Sequence, residues 1–265
     1  MADAYEVYAL RFAGESRMHS ANYLGAPPAA DFDEGMDYYI FLLRKGQEII
    51  LVDTGATHEA AARRNRVLRV APDECLRAFG IQPEAIETII LTHLHWDHAG
   101  ALGLFPRARF HLQATEMAYG TGPAMQHSTL RLAFDGAHVA EAVAALHAGR
   151  MTLHDGDVQL RDGVWLHRIG GHSGGLQVVR VRTASGWLVL AGDAAHYWGN
   201  LRHRQAFPLF ADLLETLDGF ERILALAGTE ARVIPGHDSQ IARRFPALDG
   251  HPEVFALHDG PVGPT

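Results

Sequence analysis

Apolar residues along the chain fall into short runs that are separated by turns containing glycine. In the first half, the runs at 38–43 and 48–52 are typical of strands that a hairpin turn at Gly46 joins. A further apolar run at 89–91 ends in a polar loop, and the segment 120–150 has a helical pattern. Strands that alternate with helices in this way predict an α/β fold.

The second half of the chain repeats this plan. Four further apolar runs have the length of strands: 158–160, 164–169, 176–181 and 187–191. They are followed by an amphipathic helix predicted at 208–226. We therefore expect a single domain over 1–265 with two sheet-forming halves, at about 1–150 and 151–265, which is enough chain to bury a sizeable core.

Composition and charge narrow the class of protein. Charged residues make up 20% and hydrophobic residues 48% of the sequence, which is ordinary for a globular protein. The formal net charge of -8 argues against nucleic acid or an anionic membrane as the partner. No apolar run approaches the roughly 18 residues of a membrane span. Residues 1–7 contain two acids and no basic group, unlike a secretory signal, so a cytoplasmic protein is expected. Cys75 is the single cysteine, which excludes an internal disulfide.

Four side chains that can bind a metal follow the run 89–91, as His93-x-His95-x-Asp97-His98. His93 and His95 lie on one side of an extended segment, and a tight turn brings the next two back toward the same point. Imidazole and carboxylate suit zinc, and four such ligands are too many for one catalytic ion with an open position. The motif therefore predicts two ions. Scattered surface histidines are the alternative, since the chain has 17, but they would not be expected in this spacing directly after a strand.

Further polar residues stand where predicted strands end. His172 lies between two pairs of glycines that let the backbone approach closely, and Asp193 and His237 each follow an apolar run. A carboxylate such as that of Asp193 can bridge two cations through its two oxygens. Asp53 also ends a predicted strand, where it either presents its carboxylate to a site or caps the following helix.

Together these motifs resemble the signature of the metallo-β-lactamase superfamily, which implies a four-layer αββα sandwich. The implied ligand set is His93, His95 and His172 for one metal, Asp97, His98 and His237 for the other, and Asp193 between them. The resemblance also implies that Asp53 accepts a hydrogen bond from a metal-bound histidine and fixes its tautomer. No cysteine lies near these motifs, unlike in the antibiotic-hydrolysing branch.

Within that superfamily the chain resembles the N-acyl homoserine lactonase branch, which includes enzymes that open other small lactones such as 4-pyridoxolactone. The motifs that carry this resemblance are Gly171-His172-Ser173, the stretch 191–196 and Pro235-Gly236-His237-Asp238. This similarity implies two Zn²⁺ ions, or other divalent metals, and a bridging hydroxide that attacks the lactone carbonyl. The best known lactonases of the branch have a Tyr three residues after the bridging Asp, where this chain has His196 followed by Tyr197.

The candidate catalytic residues are therefore Asp97, His196 and Tyr197. His196 either donates a hydrogen bond to the developing oxyanion or is merely packed. The candidate substrate contacts are Tyr23, Trp198 and Phe207, although such residues also pack under loops.

Other functions remain open on the same scaffold. A glyoxalase II-like thioesterase would need a basic patch, and the only obvious cluster beside a site motif is Arg202, His203 and Arg204. A redox protein with a di-iron centre would be richer in carboxylates, and a non-catalytic metal-binding protein would have lost a ligand. The expected partner is a small-molecule lactone, and a homodimer is a further expectation.

Overall fold

The computed structural model describes residues 4–25 and 31–261 of the chain. Its strands in chain order are β1 (Glu6–Glu15), β2 (Met36–Lys45), β3 (Glu48–Val52), β4 (Gly55–Ala56), β5 (Thr88–Ile90), β6 (Ala99–Gly100), β7 (Arg109–Gln113), β8 (Met151–His154), β9 (Val158–Arg161), β10 (Val164–Arg168), β11 (Gln177–Thr183), β12 (Gly186–Gly192), β13 (Val233–Pro235), β14 (Ala247–Leu248) and β15 (His251–Ala256). Its α-helices are α1 (His58–Arg63), α2 (Pro72–Ala78), α3 (Ala114–Gly120), α4 (Gly136–His147), α5 (Trp198–His203), α6 (Leu213–Ala227) and α7 (Ile241–Arg244).

The larger sheet has the strand order β14-β15-β1-β2-β3-β5-β7-β8 within the described residues. Pairing is antiparallel from β14 to β3 and parallel from β3 to β8. The predicted hairpin joins β2 to β3 and turns at Gly46, whose φ of +61° is a conformation that favours glycine.

The smaller sheet has the order β13-β12-β11-β10-β9 and is antiparallel except for the β12–β13 pair. The two sheets share one apolar core, to which Phe41 and Ile90 contribute from the larger sheet and Val179 and Leu190 from the smaller. Helices α1 to α4 cover the outer face of the larger sheet, and α6 covers that of the smaller sheet. The predicted four-layer αββα sandwich is confirmed.

Strand ends from both sheets meet at one edge of the sandwich. The parallel neighbours β3 and β5 lead into Asp53 and into the loop that begins before His93. The parallel neighbours β12 and β13 lead into Asp193 and toward His237. Because the carboxyl ends of parallel strands lie at the same edge of a sheet, the fold gathers these polar residues at one place.

The helical pattern at 120–150 is only partly realised. Helix α4 begins after Asp135, whose side chain accepts a hydrogen bond from the Ala137 N–H at 3.0 Å. Before α4 the chain forms a short 3₁₀ helix at Pro123–Gln126 and turns, because glycine and proline interrupt the pattern. The segment still packs on the metal motif, since the Phe134 ring lies 4.6 Å from the His95 imidazole, centroid to centroid.

Helix α6 is shorter than the predicted 208–226 segment. It begins at Leu213 because the Asp212 carboxylate accepts a hydrogen bond from the Glu215 N–H at 2.9 Å, which makes Asp212 the N-cap. Phe220 and Ile223 on its buried face pack against the smaller sheet. No helix in the described part of the chain is long and apolar enough to cross a membrane.

A histidine pair at the edge of the larger sheet, with His111 buried and His154 half-buried, couples stability to pH. His111 Nδ1 lies 3.0 Å from His154 Nε2 on the neighbouring strand. Burial, followed by the charges of His154, Arg161 and Arg109, lowers the pKa of His111 to about 4. A histidine in the unfolded chain has a pKa of about 6.5. The folded pKa is the lower one, so the stabilisation is complete above about pH 6.5 and is lost as the pH falls toward 4.

We expect a His111→Gln substitution to remove this contribution to the pH dependence. Between pH 7 and pH 5, the wild-type protein should lose about 2 kcal/mol more unfolding free energy than the variant. Chemical denaturation of both metal-free proteins at the two pH values measures the difference. Equal losses in the two proteins would show that His111 does not carry the effect.

Candidate active site

Seven buried side chains from distant parts of the sequence converge at the edge where the strand ends meet. Their ligand atoms form compact groups in which all atoms lie within 4.8 Å of one another. One group is His93, His95, His172 and Asp193, and another is Asp97, His98 and His237. The structure thus brings together every residue of the predicted ligand set in the predicted grouping.

Hydrogen bonds to the far side of three of the five histidine rings aim these imidazoles at the centre. Nδ1 of His98 lies 2.8 Å from Asp53 Oδ2, and Nδ1 of His172 and of His237 donate to backbone carbonyl oxygens at 2.9 and 2.8 Å. A ring whose Nδ1 carries the proton keeps a free lone pair on Nε2, and that atom faces the cluster in each case.

The Asp193 carboxylate lies at the middle of the cluster. Its Oδ2 is 3.2 Å from His172 Nε2 and 3.9 Å from His93 Nε2. Its Oδ1 is 3.1 Å from His98 Nε2 and 3.0 Å from His237 Nε2. Burial alone would raise the pKa of Asp193, but the surrounding imidazoles hold it well below its usual range, so the carboxylate is charged. Each of its oxygens therefore faces one of the two ligand groups.

The donor set fits divalent metal ions. Nε2 of His93, His98 and His237 and Oδ1 of Asp193 are buried. Although Oδ1 lies 3.1 Å from His98 Nε2 and 3.0 Å from His237 Nε2, none of these four atoms makes a hydrogen bond of suitable geometry among the described residues. Buried polar atoms without partners are costly, and a cation at their meeting point would satisfy them together. Burial and neighbouring imidazoles also hold the pKa of His93 and His95 well below its ordinary value, which keeps both in the neutral form that binds metal.

Asp53 holds His98 and does not cap a helix. Besides His98 Nδ1, its carboxylate accepts hydrogen bonds from the Thr92 N–H at 2.7 Å and the Thr92 hydroxyl at 2.8 Å. The N-cap of α1 is Thr57 instead. Asp53 has a φ of +64°, which is a strained conformation for a residue other than glycine. Strained residues of this kind are concentrated at functional sites.

Glu116 near the start of α3 ties two ligand loops together, and sequence reasoning did not find it. Its Oε1 accepts a hydrogen bond from the Leu94 N–H at 3.0 Å, between the two motif histidines. Its Oε2 accepts from the Ser173 hydroxyl at 2.7 Å and the Gly175 N–H at 2.8 Å, next to His172. A Cβ at Gly175 would lie 2.1 Å from the Glu116 backbone nitrogen, so only glycine permits this approach.

A cavity of about 390 Å³ lies over the cluster. Five residues of the predicted site line it: His95, Asp97, Asp193, His196 and His237. Apolar lining comes from Met36, Trp96, Leu132 and the predicted contact Phe207. The charged lining outside the cluster consists of Glu15, Arg17, Arg64 and Arg66, which the sequence did not single out.

His196 lies between the Asp193 carboxylate and the cavity wall. Its Nε2 is 3.2 Å from Asp193 Oδ2, and its ring stacks on Phe207 with centroids 3.8 Å apart. Burial lowers its pKa to about 3 against the opposing effect of Asp193, so the imidazole is neutral. A neutral imidazole at this position can donate a hydrogen bond or bind a metal.

The candidate catalytic residue Tyr197 and the candidate contacts Tyr23 and Trp198 are not among the described residues that line the cavity. The Tyr23 hydroxyl donates to Glu34 Oε1 at 3.0 Å, and the Tyr197 hydroxyl donates to the Gly35 carbonyl at 3.0 Å. The Trp198 indole N–H donates to the Val233 carbonyl at 2.8 Å, in the core between the sheets. Each of these side chains thus satisfies its polar group inside the protein.

The predicted basic cluster also lies away from the cavity. Arg202 pairs with Glu230 at 2.6 Å and Arg204 pairs with Glu221. Neither these arginines nor His203 are among the described residues that line the cavity.

Comparison with known proteins identifies the family. A model of the metallo-beta-lactamase superfamily matches residues 35–237, and the chain belongs to this superfamily. The N-acyl homoserine lactonase AttM of Azorhizobium caulinodans is 29% identical over 193 residues, which cover 66% of this chain and 67% of that protein. An N-acyl homoserine lactonase of a Bacillus species is 28% identical over 221 residues, 77% of this chain and 82% of that protein.

Solved structures show the same fold. A quorum-quenching N-acyl homoserine lactone lactonase superposes with a TM-score of 0.71 at 23% identity, over 89% of this chain and 93% of that one. A hydrolase described as AbOPH superposes with a TM-score of 0.69 at 20% identity, over 89% and 88% of the chains. With the family model and the curated relatives, this makes the protein a lactonase-like metallo-hydrolase.

Proposed function

We propose that the protein is a dinuclear zinc hydrolase that opens a small lactone ring to the hydroxy acid, with other divalent metals able to occupy the same ligands. The main support is the convergence of seven buried ligands in two groups around Asp193, directly under a cavity. The relatives named N-acyl homoserine lactonase indicate the lactone class of substrate.

In the proposed reaction, water adds to the lactone carbonyl carbon, the acyl C–O bond breaks, and the ring oxygen takes up a proton. Two bound ions would lower the pKa of a water to about 7 and polarise the carbonyl. His93, His95 and His172 would hold one ion, and Asp97, His98 and His237 the other, with Asp193 shared between them. None of the described residues that line the cavity is Ser or Cys, which supports hydrolysis without a covalent intermediate.

Two side chains of the cavity wall face the reacting ring in this proposal. Asp97 belongs to the second ligand group and also lines the cavity, with its Oδ2 3.6 Å from His237 Nε2. We propose that its carboxylate transfers the proton in the reaction. His196, stacked on Phe207, would donate a hydrogen bond to the oxygen that gains charge in the transition state.

A lactone panel with metal analysis tests the proposed function. The zinc-loaded protein is assayed by pH-stat with N-acyl homoserine lactones of several chain lengths, γ-butyrolactones, 4-pyridoxolactone and the thioester S-lactoylglutathione. We expect lactone opening and two metal ions per chain. Opening of no lactone, or a content of one ion at full activity, would overturn the proposal.

The thioester is included because one observation favours a second candidate. A glyoxalase II-like thioesterase needs basic groups for an anionic thiol portion, and Arg17 and Arg64 supply them on the cavity wall. Hydrolysis of S-lactoylglutathione in preference to every lactone would establish this candidate.

The cytoplasmic location and the homodimer stay predictions.

We expect a His196→Ala substitution to lower kcat by about a hundredfold, the usual effect of removing one oxyanion donor, while both ions are retained. A His196→Gln variant, which keeps a donor, should recover part of kcat. Turnover and metal content are measured on the same samples. Loss of an ion would show that His196 is a ligand, and unchanged kinetics would remove it from the mechanism.

A further inference from the structure

The cavity over the metal ligands carries an excess of positive side chains. Arg17, Arg64 and Arg66 line it, and Glu15 is the one lining acid outside the ligand cluster among the described residues. Arg66 Nη2 lies 3.1 Å from Glu15 Oε1, so this pair is neutral together. Two guanidinium groups remain, although the whole chain has a formal net charge of -8. The charged lining outside the ligand cluster is therefore positive, whereas the net charge of the protein is negative.

Arg17 and Arg64 are held in place by neutral groups. Arg17 donates from Nε to Asn22 Oδ1 at 2.7 Å and from Nη2 to the Ala21 carbonyl at 3.1 Å. Arg64 donates to the Leu132 carbonyl and, at 2.7 Å, to the Phe134 carbonyl. Within the described residues, neither guanidinium has a carboxylate partner and Arg17 Nη1 has no acceptor. Both cations are therefore oriented by neutral groups, and neither forms an ion pair with an acid of the described residues.

The Phe207 ring sets the distance between Arg17 and the reacting centre. The Arg17 guanidinium carbon lies 5.0 Å from the Phe207 ring centroid, and the His196 ring stacks on the same Phe207 ring at 3.8 Å. His196 in turn contacts Asp193. Two aromatic rings, those of Phe207 and His196, therefore lie between Arg17 and Asp193 along this path. Arg17 lines the same cavity as Asp193, so a small molecule in that cavity can reach both.

We propose that Arg17, supported by Arg64, forms an anion subsite, and that the substrate is a small lactone that carries a carboxylate or a comparable anionic group. This inference rests on the proposed lactone opening and specifies its substrate class. A guanidinium binds a carboxylate through two parallel N–H donors, and prior orientation lowers the cost of binding. A neutral acyl chain would leave both cations without a partner and remove their water.

A matched pair of lactones tests the subsite. The carboxylate of 5-oxotetrahydrofuran-2-carboxylic acid and the neutral 5-oxotetrahydrofuran-2-carboxamide present the same ring and differ in charge. With the zinc-loaded protein, KM for the carboxylate should be at least tenfold lower than for the carboxamide. The advantage should shrink between 0.05 and 0.5 M salt, because salt screens the attraction.

Variants assign the effect to Arg17. Arg17→Gln should raise KM for the carboxylate at least tenfold and change that for the carboxamide less than twofold, and Arg17→Lys should recover part of the preference. Arg107→Gln is the control, since Arg107 pairs with Glu87 at the surface and is absent from the cavity lining. It should match the wild type with both substrates. Equal KM values for the two lactones, or an indifferent Arg17→Gln variant, would overturn the subsite and leave lactone opening intact.

A binding measurement keeps the subsite separate from the proposed function. If no lactone is opened, the lactonase proposal fails, and calorimetry with 2-hydroxyglutarate, the ring-opened carboxylate product, decides on the subsite. The Kd should rise at least tenfold in Arg17→Gln compared with wild type, while the Kd of 4-hydroxybutyrate, which lacks the second carboxylate, stays within twofold. The same Kd of 2-hydroxyglutarate in both proteins would overturn the inference.

Discussion

Asp193→Asn should abolish lactone opening and release metal from both ligand groups. Its two oxygens each lie within 3.2 Å of an imidazole of a different group, Oδ2 of His172 and Oδ1 of His98. An amide has the same shape but only one acceptor oxygen and no charge. We expect kcat to fall by well over the roughly hundredfold that loss of a supporting hydrogen bond costs at metal sites. Metal content by mass spectrometry and kcat on the preferred lactone measure the effect.

The matched control for this variant is Asp249→Asn, in an exposed turn between β14 and β15. It should keep both metals and full activity. Far-ultraviolet circular dichroism at the assay temperature verifies that the Asp193→Asn protein is folded. A folded Asp193→Asn protein with two ions and normal turnover would contradict the placement of Asp193 between the metals.

Glu116→Ala should weaken metal binding although Glu116 lies outside the cavity lining. It removes the acceptor of three buried hydrogen bonds, from Leu94, Ser173 and Gly175. Burial raises the pKa of Glu116 while these three donors favour its charged form. We expect a stability loss of about 2–4 kcal/mol, since each unsatisfied buried group costs about 1–3 kcal/mol. Metal affinity should fall by about 10- to 100-fold, and kcat should fall more than KM changes.

Gln113→Ala is the control that separates an effect on the position of the metal-site loops from an effect on the stability of the whole fold. Gln113 is buried beside the start of α3 and makes three hydrogen bonds, with both backbone groups of Gly156 and with Gln177. Its loss should destabilise the protein by a similar amount and leave metal affinity within about threefold. Competition with a chromogenic chelator measures affinity, and urea denaturation measures stability. Equal losses of metal affinity in the two variants would reduce Glu116 to a structural residue.

The sequence predicted the layers of the fold well because they depend on local patterns. The apolar runs at 38–43 and 48–52 became β2 and β3, and the four runs after residue 150 became β9 to β12. Prediction was weaker at 120–150. The apolar spacing there is typical of a helix, but glycine and proline interrupt the helix before α4. The secondary structure of such segments depends on the elements that pack against them, and the sequence of the segment does not show these contacts.

The ligand set was predictable because each member carries its own local signal at a strand end. Glu116 carries none, since its partners lie 22 and 57 residues away and the start of α3 looks like any helix. Arg17 lies in the same loop as Tyr23, and the aromatic residue was predicted as the substrate contact instead. Tyr23 and Trp198 lie outside the cavity lining, because each directs its polar group into the protein, and sequence position does not show that direction.

The proposed metal ligands and part of the cavity lining belong to different parts of the scaffold. The seven ligands follow strand ends or lie in a loop that Glu116 holds by hydrogen bonds, whereas Arg17, Leu132 and Phe207 lie on connecting segments outside the two sheets. Exchange of those segments would leave the hydrolytic apparatus in place. Under the proposed function, evolution or a protein engineer can therefore redirect the enzyme to new lactone rings by changing one connecting segment at a time, without changing the proposed ligands.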